Sequence, residues 1–237
     1  MTGILLTRIL ATCGLGLALV ASLTTGVAAA GSDPIALYGD RLVFDILRDG
    51  DTIGRQTLTF SRANGDLTVG VLTDIQVDML FVTVYRYRYE ATMRVRDEHL
   101  QEMAAVTDDD GKVSRVVAKF DGQRTFVNGP GGSFEAPVAI FPGEHWNLAE
   151  TRQSVLLNGV TGRLDAIVVS DRGEDSVTTL TGKRAARRYV FSGAVQLTSW
   201  YDADGRWVGL RFKARDGSTI DYVCRQCGPA GKTSPAG

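Results

Sequence analysis

Two cysteines three positions apart, Cys224 and Cys227, are the sharpest chemical signal in this 237-residue chain. As Cys224-Arg225-Gln226-Cys227 they could serve as two soft metal ligands, a redox pair or a disulfide. In an extended strand their Cα atoms would stand about 10 Å apart, beyond disulfide reach. A bond between them therefore requires the strand to end at Cys224 and turn, which Gly228-Pro229 would permit. A thioredoxin-like redox centre needs a helix to start there, and no helix can follow Gly228-Pro229. Metal capture needs more ligands, yet no second pair stands nearby and no histidine follows Cys227. The residues favour a disulfide, with redox or metal accessory roles as the alternatives.

Histidine is scarce, with His99 and His145 only. His99 follows Asp97-Glu98 at an expected turn. His145 precedes Trp146-Asn147 at an expected helix start, where it could pack or meet a ligand. Beyond residue 30 there is no HExxH, GxSxG, GxGxxG or phosphate-cradling loop. Ser-His or Cys-His nucleophilic catalysis therefore has little to work with. No catalytic residue, metal site or cofactor is assigned. Paired carboxylates stay open, because acids are plentiful and their pairing in space does not show in sequence. Asp108-Asp109-Asp110-Gly111 and Asp202-Ala203-Asp204-Gly205 look like pieces of calcium loops, but each lacks the alternating acids and the downstream Glu.

The best argument for a binding cavity is the stripe Tyr85, Tyr87, Tyr89 and Met93, with His145 and Trp146 as further candidate ligand contacts. Tyrosine rings suit a greasy pocket wall with a few polar points. The same stripe fits an ordinary sheet core with hydroxyls reaching the rim. Opposite it, Arg86, Arg88, Glu90, Arg94 and Arg96 read as a solvated face. Met79-Leu80-Phe81-Val82 breaks the alternation, as a bend or a lip over a cavity would.

The elements that must position these residues are strands. Asp49-Gly50, Asn64-Gly65, Asp110-Gly111, Asp121-Gly122, Asp204-Gly205 and Asp216-Gly217 are tight-turn dipeptides. Between them the period is two: Leu67, Val69, Val71, Ile75 and Val77 share one face, and Val208, Leu210 and Phe212 another. Segment counting predicts an all-β chain of roughly ten to twelve strands, joined mostly by hairpins into a large antiparallel meander. Such a sheet curls into an open or closed barrel. One short helix is expected at Asn147–Gln153, where Asn147 and Glu150 have capping-box spacing.

Arg8 followed by an uncharged run from Ile9 to Gly31, ending on Val27-Ala28-Ala29-Ala30, has the layout of a secretory signal peptide over residues 1–30. The rival readings are an uncleaved membrane anchor and a lipoprotein at Cys13. Thr24-Thr25-Gly26 and the small-residue end weigh against the anchor. The short apolar stretch before Cys13 weighs against lipidation. Cleavage removes Cys13 and leaves Cys224 and Cys227 to pair in a bacterial periplasm, where disulfides persist. The remainder reads as a single domain, 31–228, with a disordered tail, 229–237. Losing Arg8 leaves 25 basic against 27 acidic residues. Near-neutral charge gives no footprint for nucleic acid, and no later stretch is apolar enough to cross a membrane.

Motifs scattered in order along the chain resemble an exported proteobacterial family. They include Arg48-Asp49-Gly50, Ile53-Gly54, Leu80-Phe81-Val82-Thr83-Val84-Tyr85-Arg86-Tyr87 and Asp109-Asp110-Gly111. Trp146-Asn147, Gly162-Arg163-Leu164, Ala186-Arg187-Arg188-Tyr189, Trp200-Tyr201-Asp202 and Gly205-Arg206-Trp207-Val208 continue the series. The family is the one catalogued as domain of unknown function 6134, and the likeness spans Arg41 to Tyr222. It implies an exported all-β domain and no activity, with the Cys224–Cys227 tail an addition to the core pattern. At fold level the layout is also similar to periplasmic lipoprotein-carrier half-barrels, which supplies no function. The expected role is non-enzymatic binding of a lipid-like or other apolar molecule in the concave face. The alternative is an envelope assembly or scaffolding protein that holds another envelope protein by a sheet face or edge.

Overall fold

The computed structural model describes residues 33–79, 82–97, 99–136 and 140–229. The segment read as an export signal, including Cys13, lies outside them, as do Leu80 and Phe81 and the tail from residue 230.

A five-residue helix, α1 (Pro34–Tyr38), is capped by the Asp33 carboxylate and carries proline in its first turn, where no N–H is needed. Strands follow with little pause: β1 (Arg41–Arg48), β2 (Asp51–Ala63), β3 (Asp66–Met79), β4 (Val82–Arg96) and β5 (His99–Asp109). Next come β6 (Lys112–Phe120), β7 (Thr125–Gly129) and β8 (Gly132–Ala136). A crossing segment with a 3₁₀ turn at Leu148–Arg152 leads to β9 (Val155–Leu157), β10 (Leu164–Thr179) and β11 (Gly182–Gly193). The last three are β12 (Leu197–Tyr201), β13 (Trp207–Lys213) and β14 (Thr219–Gln226).

Among the described residues the 14 strands form one antiparallel meander sheet, with β1 beside β14 at its middle and β8 and β9 at its edges. The count passes the expected one because β7, β8 and β9, at 5, 5 and 3 residues, are too short to show alternation. All six turn dipeptides sit between strands. Asp49-Gly50, Asn64-Gly65 and Asp110-Gly111 hold both residues at positive φ, the turn whose twist matches that of the strands. The helix expected at Asn147 is a single 3₁₀ turn, with the Asn147 side chain accepting from the Ala149 amide.

The sheet curls without closing. Instead of a β8–β9 ladder, the β7–β8 turn rests on the β9–β10 connection, and the Gly131 amide donates to the Thr161 carbonyl at 2.7 Å. Gly129 meets Gly162 there so closely that a Cβ on Gly129 would come within 3.2 Å of the Gly162 Cα. On the other flank the β10–β11 ribbon shifts register between Asp171 and Glu174 and folds over the outside of β12–β14. Val177 fills the space beside Gly209, the Trp200 indole donates to Asp175 at 3.1 Å, and the Leu180 amide donates to the Cys224 carbonyl at 3.0 Å.

Register stacks the inward residues in rows. Leu42, Leu58, Val71, Ala91, Ala105 and Val116 align from β1 to β6 and are all buried. A second apolar row is Phe60, Val69, Met93, Met103, Ala118 and Val127. Tyr38 of α1 closes this end of the interior, stacked on Phe60 with ring centroids 5.4 Å apart.

Cys224 and Cys227 form a disulfide with Cα atoms 6.0 Å apart, but not by the expected route. The strand does not end at Cys224. It runs on to Gln226 and bulges: Phe44 pairs with Cys224 and Val43 with Gln226, leaving Arg225 as the extra residue. The bulge shortens the path between the cysteines, so Cys227, one residue past the end of the strand, lies buried beside Cys224. Arg225 grips the buried Asp45 at 2.5–3.0 Å and, with Arg55, holds that carboxyl below the usual range.

Loop closure this short is worth about 2 kcal/mol. Cys224→Ser with Cys227→Ser should therefore stay folded, with urea unfolding showing a loss of about that size. Collapse of the fold would mean that the bulge depends on the sulfur bridge.

Candidate functional site

Above the apolar rows the interior turns polar. Phe44, Gln56, Thr73, Tyr89 and Thr107 form the next row from β1 to β5, and all are buried. Nearer the open mouth lie Tyr222, Ile46, Gly54, Ile75, Tyr87 and Asp109. The tyrosine stripe runs through these levels. Tyr85 donates to Asp109 at 2.8 Å at the rim, Tyr87 is half-buried, and Tyr89 is buried. Burial and then Asp109 push the Tyr85 hydroxyl up to about 12.

The crossing segment brings the remaining groups inside. It is pinned along β9 where the Leu157 amide donates to the Phe141 carbonyl at 2.7 Å and Gly143 donates to Leu157 at 3.1 Å. Glu144 then meets Tyr89, whose hydroxyl donates to its carboxylate. A Cβ on Gly159 would stand 2.1 Å from that hydroxyl and 2.9 Å from the carboxylate, so only glycine admits the bond. The His145 ring lies between Trp207 and Phe191, with centroids at 5.5 and 5.8 Å. Its Nδ1 is 2.7 Å from Glu150 Oε1, an ion-pair contact lying off the line of a hydrogen bond. The other Glu150 oxygen accepts from the His145 backbone amide at 2.7 Å. Glu150 thus abandons the capping box expected of it and is fully buried beside His145.

Burial lifts the Glu144 carboxyl to about 7, with the Glu150 charge adding, while Tyr89 and His145 oppose. Burial alone would lower His145, but Glu150 and Glu144 outweigh it and the imidazole is raised. Two acids, a histidine and a tyrosine therefore share a buried interior, and among the described residues no group of three or more His, Cys, Asp and Glu could hold a metal ion.

Of the expected site residues, Tyr89, His145 and Trp146 come together inside, with Tyr87 above them. Trp146 packs edge-on against Phe60 at 5.9 Å. Met93 is fully buried in the apolar rows and Tyr85 lies at the rim, so neither reaches Glu144. Glu144, Gln56, Gly159 and Tyr222 carry no site signal in the sequence, and Glu150 reads there only as a helix cap. A signal for the polar row exists at Thr73, which interrupts the apolar face from Leu67 to Val77. The arginine face forms surface ion pairs, Arg94 and Arg96 both meeting Asp66. The two acidic turns use their carboxylates on themselves: Asp108 accepts from Gly111, and Asp202 accepts from Asp204 and Arg206.

A family model described as Domain of unknown function (DUF6134) matches residues 44–225. The chain belongs to this family. The match covers most of the strands and stops between the two cysteines, taking in Cys224 but not Cys227. Among curated proteins none matches the chain. A solved structure described as a beta-barrel-like protein of domain of unknown function DUF1849 from Brucella abortus is similar over 78% of this chain and 95% of its own. Its TM-score is 0.53 at 14% identity, a likeness of fold alone. The all-β, barrel-like character of this family member therefore stands on both its own strands and that neighbour.

Folded Glu144 keeps its proton up to about pH 7, whereas an unfolded glutamate loses it near 4.5. The folded state therefore binds more protons between these values, and stability falls as pH rises through them, by about 3 kcal/mol in total. His145, raised when folded, also stabilises below its ordinary value and loses that contribution as pH rises. Urea unfolding from pH 4.5 to 8 should show this decline, and Glu144→Gln should flatten most of it. Gly159→Ala should cost roughly 2–4 kcal/mol by forcing Tyr89 from Glu144, visible as a lowered Tm. A Tm unchanged by Gly159→Ala would contradict the packing described.

Proposed function

We propose that the chain is an exported, non-enzymatic binder of an apolar or amphiphilic small molecule, held at the open mouth of the curled sheet. The observation that carries this reading is the layering. Half-buried Tyr87, Tyr222, Ile75 and Phe212 offer apolar surface at the mouth. Directly beneath lies a polar row in which one end of the Gln56 amide, nine-tenths buried, has no partner. Apolar walls with a few convergent polar groups are the usual form of a ligand site. The export part rests on the N-terminal pattern, and a Cys224–Cys227 disulfide is consistent with an oxidising compartment.

The second reading, envelope assembly, draws on a separate feature. Edge strand β8 and its neighbours carry a surface groove of about 430 Å³ lined by Val117, Lys119, Phe126 and Glu135 among others, with Val117 and Phe126 exposed. A redox or metal accessory role has less support, because the buried disulfide uses both sulfurs.

Expression of the full chain in a Gram-negative host and native mass spectrometry of the periplasmic fraction test the first reading. The expected species starts near Gly31 and carries a bound small molecule, and Tyr222→Arg should release it. A species that is full-length, cytoplasmic or empty would count against the proposal, and a co-purifying envelope protein would favour the second reading.

A further inference from the structure

Glu144 is a buried acid that no described cation contacts as an ion pair. Among the described residues its carboxylate has one side-chain hydrogen bond, from Tyr89, and it enters no ion pair. The neighbouring His145 is engaged by Glu150. The hydroxyls of Tyr87 and Tyr222 feel the Glu144 charge, yet neither is hydrogen-bonded to a described residue. Gln56 donates to the Thr73 hydroxyl at 3.1 Å, which leaves its carbonyl oxygen free though the residue is only 8% exposed. Phe212 adds a ring 6.4 Å from that of Tyr222.

Every free polar group here can accept a hydrogen bond, and the surrounding walls carry aromatic rings, whose faces have negative quadrupoles. Above pH 7 a carboxylate or phosphate would meet like charge at Glu144, and the one neighbouring imidazole, His145, is already engaged by Glu150. A primary ammonium group is the opposite case. It brings three N–H donors and a positive charge, and it is drawn to tyrosine faces as well as to a carboxylate. Resting on the binder reading above, we propose that the ligand is an amphiphilic primary amine, with its ammonium directed to Glu144 and Gln56 and its apolar body against Tyr87, Tyr222 and Phe212. The titratable groups that face Glu144 are Tyr87, Tyr89, His145, Glu150 and Tyr222. On binding below pH 7 the Glu144 proton passes to buffer, and the ammonium takes its place as the positive partner.

Calorimetry with octylammonium, octanol and octanoate, all below micelle formation, tests this on the unmodified chain. At pH 8 octylammonium should bind at least about tenfold more tightly than octanol, and octanoate weakest of the three. At pH 6, repeating the titration in buffers of different ionisation enthalpy should show a proton released with octylammonium and none with octanol. Glu144→Gln should bring the octylammonium affinity down to that of octanol, and a thermal melt checks that the variant is folded. If all three probes bind alike, or octanoate binds best, the ammonium assignment is overturned while the mouth remains a binding site. If none binds, the binder reading fails with it.

Discussion

Threading a segment through the interior of a sheet obliges every backbone amide and carbonyl on it to find a partner away from water. Much of the architecture answers that demand around residues 141–157. The Trp146 carbonyl accepts from Tyr38 at 2.8 Å, and the His145 carbonyl accepts from Tyr201 at 2.9 Å. The His145 amide is met by Glu150, and the Trp146 amide turns back to the Glu144 carbonyl at 2.8 Å. Tyr38 does a second service by accepting from the Trp207 amide at 2.9 Å, which joins α1, β13 and the crossing segment at one oxygen. Burial raises the Tyr38 and Tyr201 hydroxyls far above their ordinary values, so both remain donors.

The same segment explains why the polar residues inside the sheet are where they are. Polar side chains in an interior are tolerated when they find partners. Thr73 serves Gln56, Tyr89 serves Glu144, and the apolar rows beneath need neither. The sheet thus separates a lower half packed with Leu, Val, Met, Ala and Phe from an upper half in which polar side chains enter the interior. Gly159 marks the boundary, since a single methyl there would part Tyr89 from Glu144.

How much of this could be read from the residues depended on how local the cause was. Turn dipeptides such as Asn64-Gly65 act within four residues and placed their hairpins correctly. Alternation through Tyr85, Tyr87 and Tyr89 put the right rings on the inward face, because side-chain direction in a strand is itself local. The Cys224–Cys227 geometry is not legible locally, because the bulge at Arg225 is made by pairing with Val43 and Phe44, far away in sequence. Glu150 looked like a helix cap because its spacing from Asn147 suits one. Its real partner, His145, becomes available only once the segment is folded inside. The Glu144–Tyr89 contact was out of reach for the same reason: nothing near either residue announces the other.

The seam between β1 and β14 carries a consequence for how the molecule comes into being. Asp45 and Arg225, which clasp across it, are 180 residues apart in the chain. A meander whose first strand waits for its last has its most distant contact at the centre of the sheet, and such topologies fold slowly. The hairpins on either side can zip as they emerge, but they stay two loose ribbons until the final strand arrives to join them. A chain cut short before Thr219 would leave β1 and β13 as two unpaired edges, and the one sheet would become two.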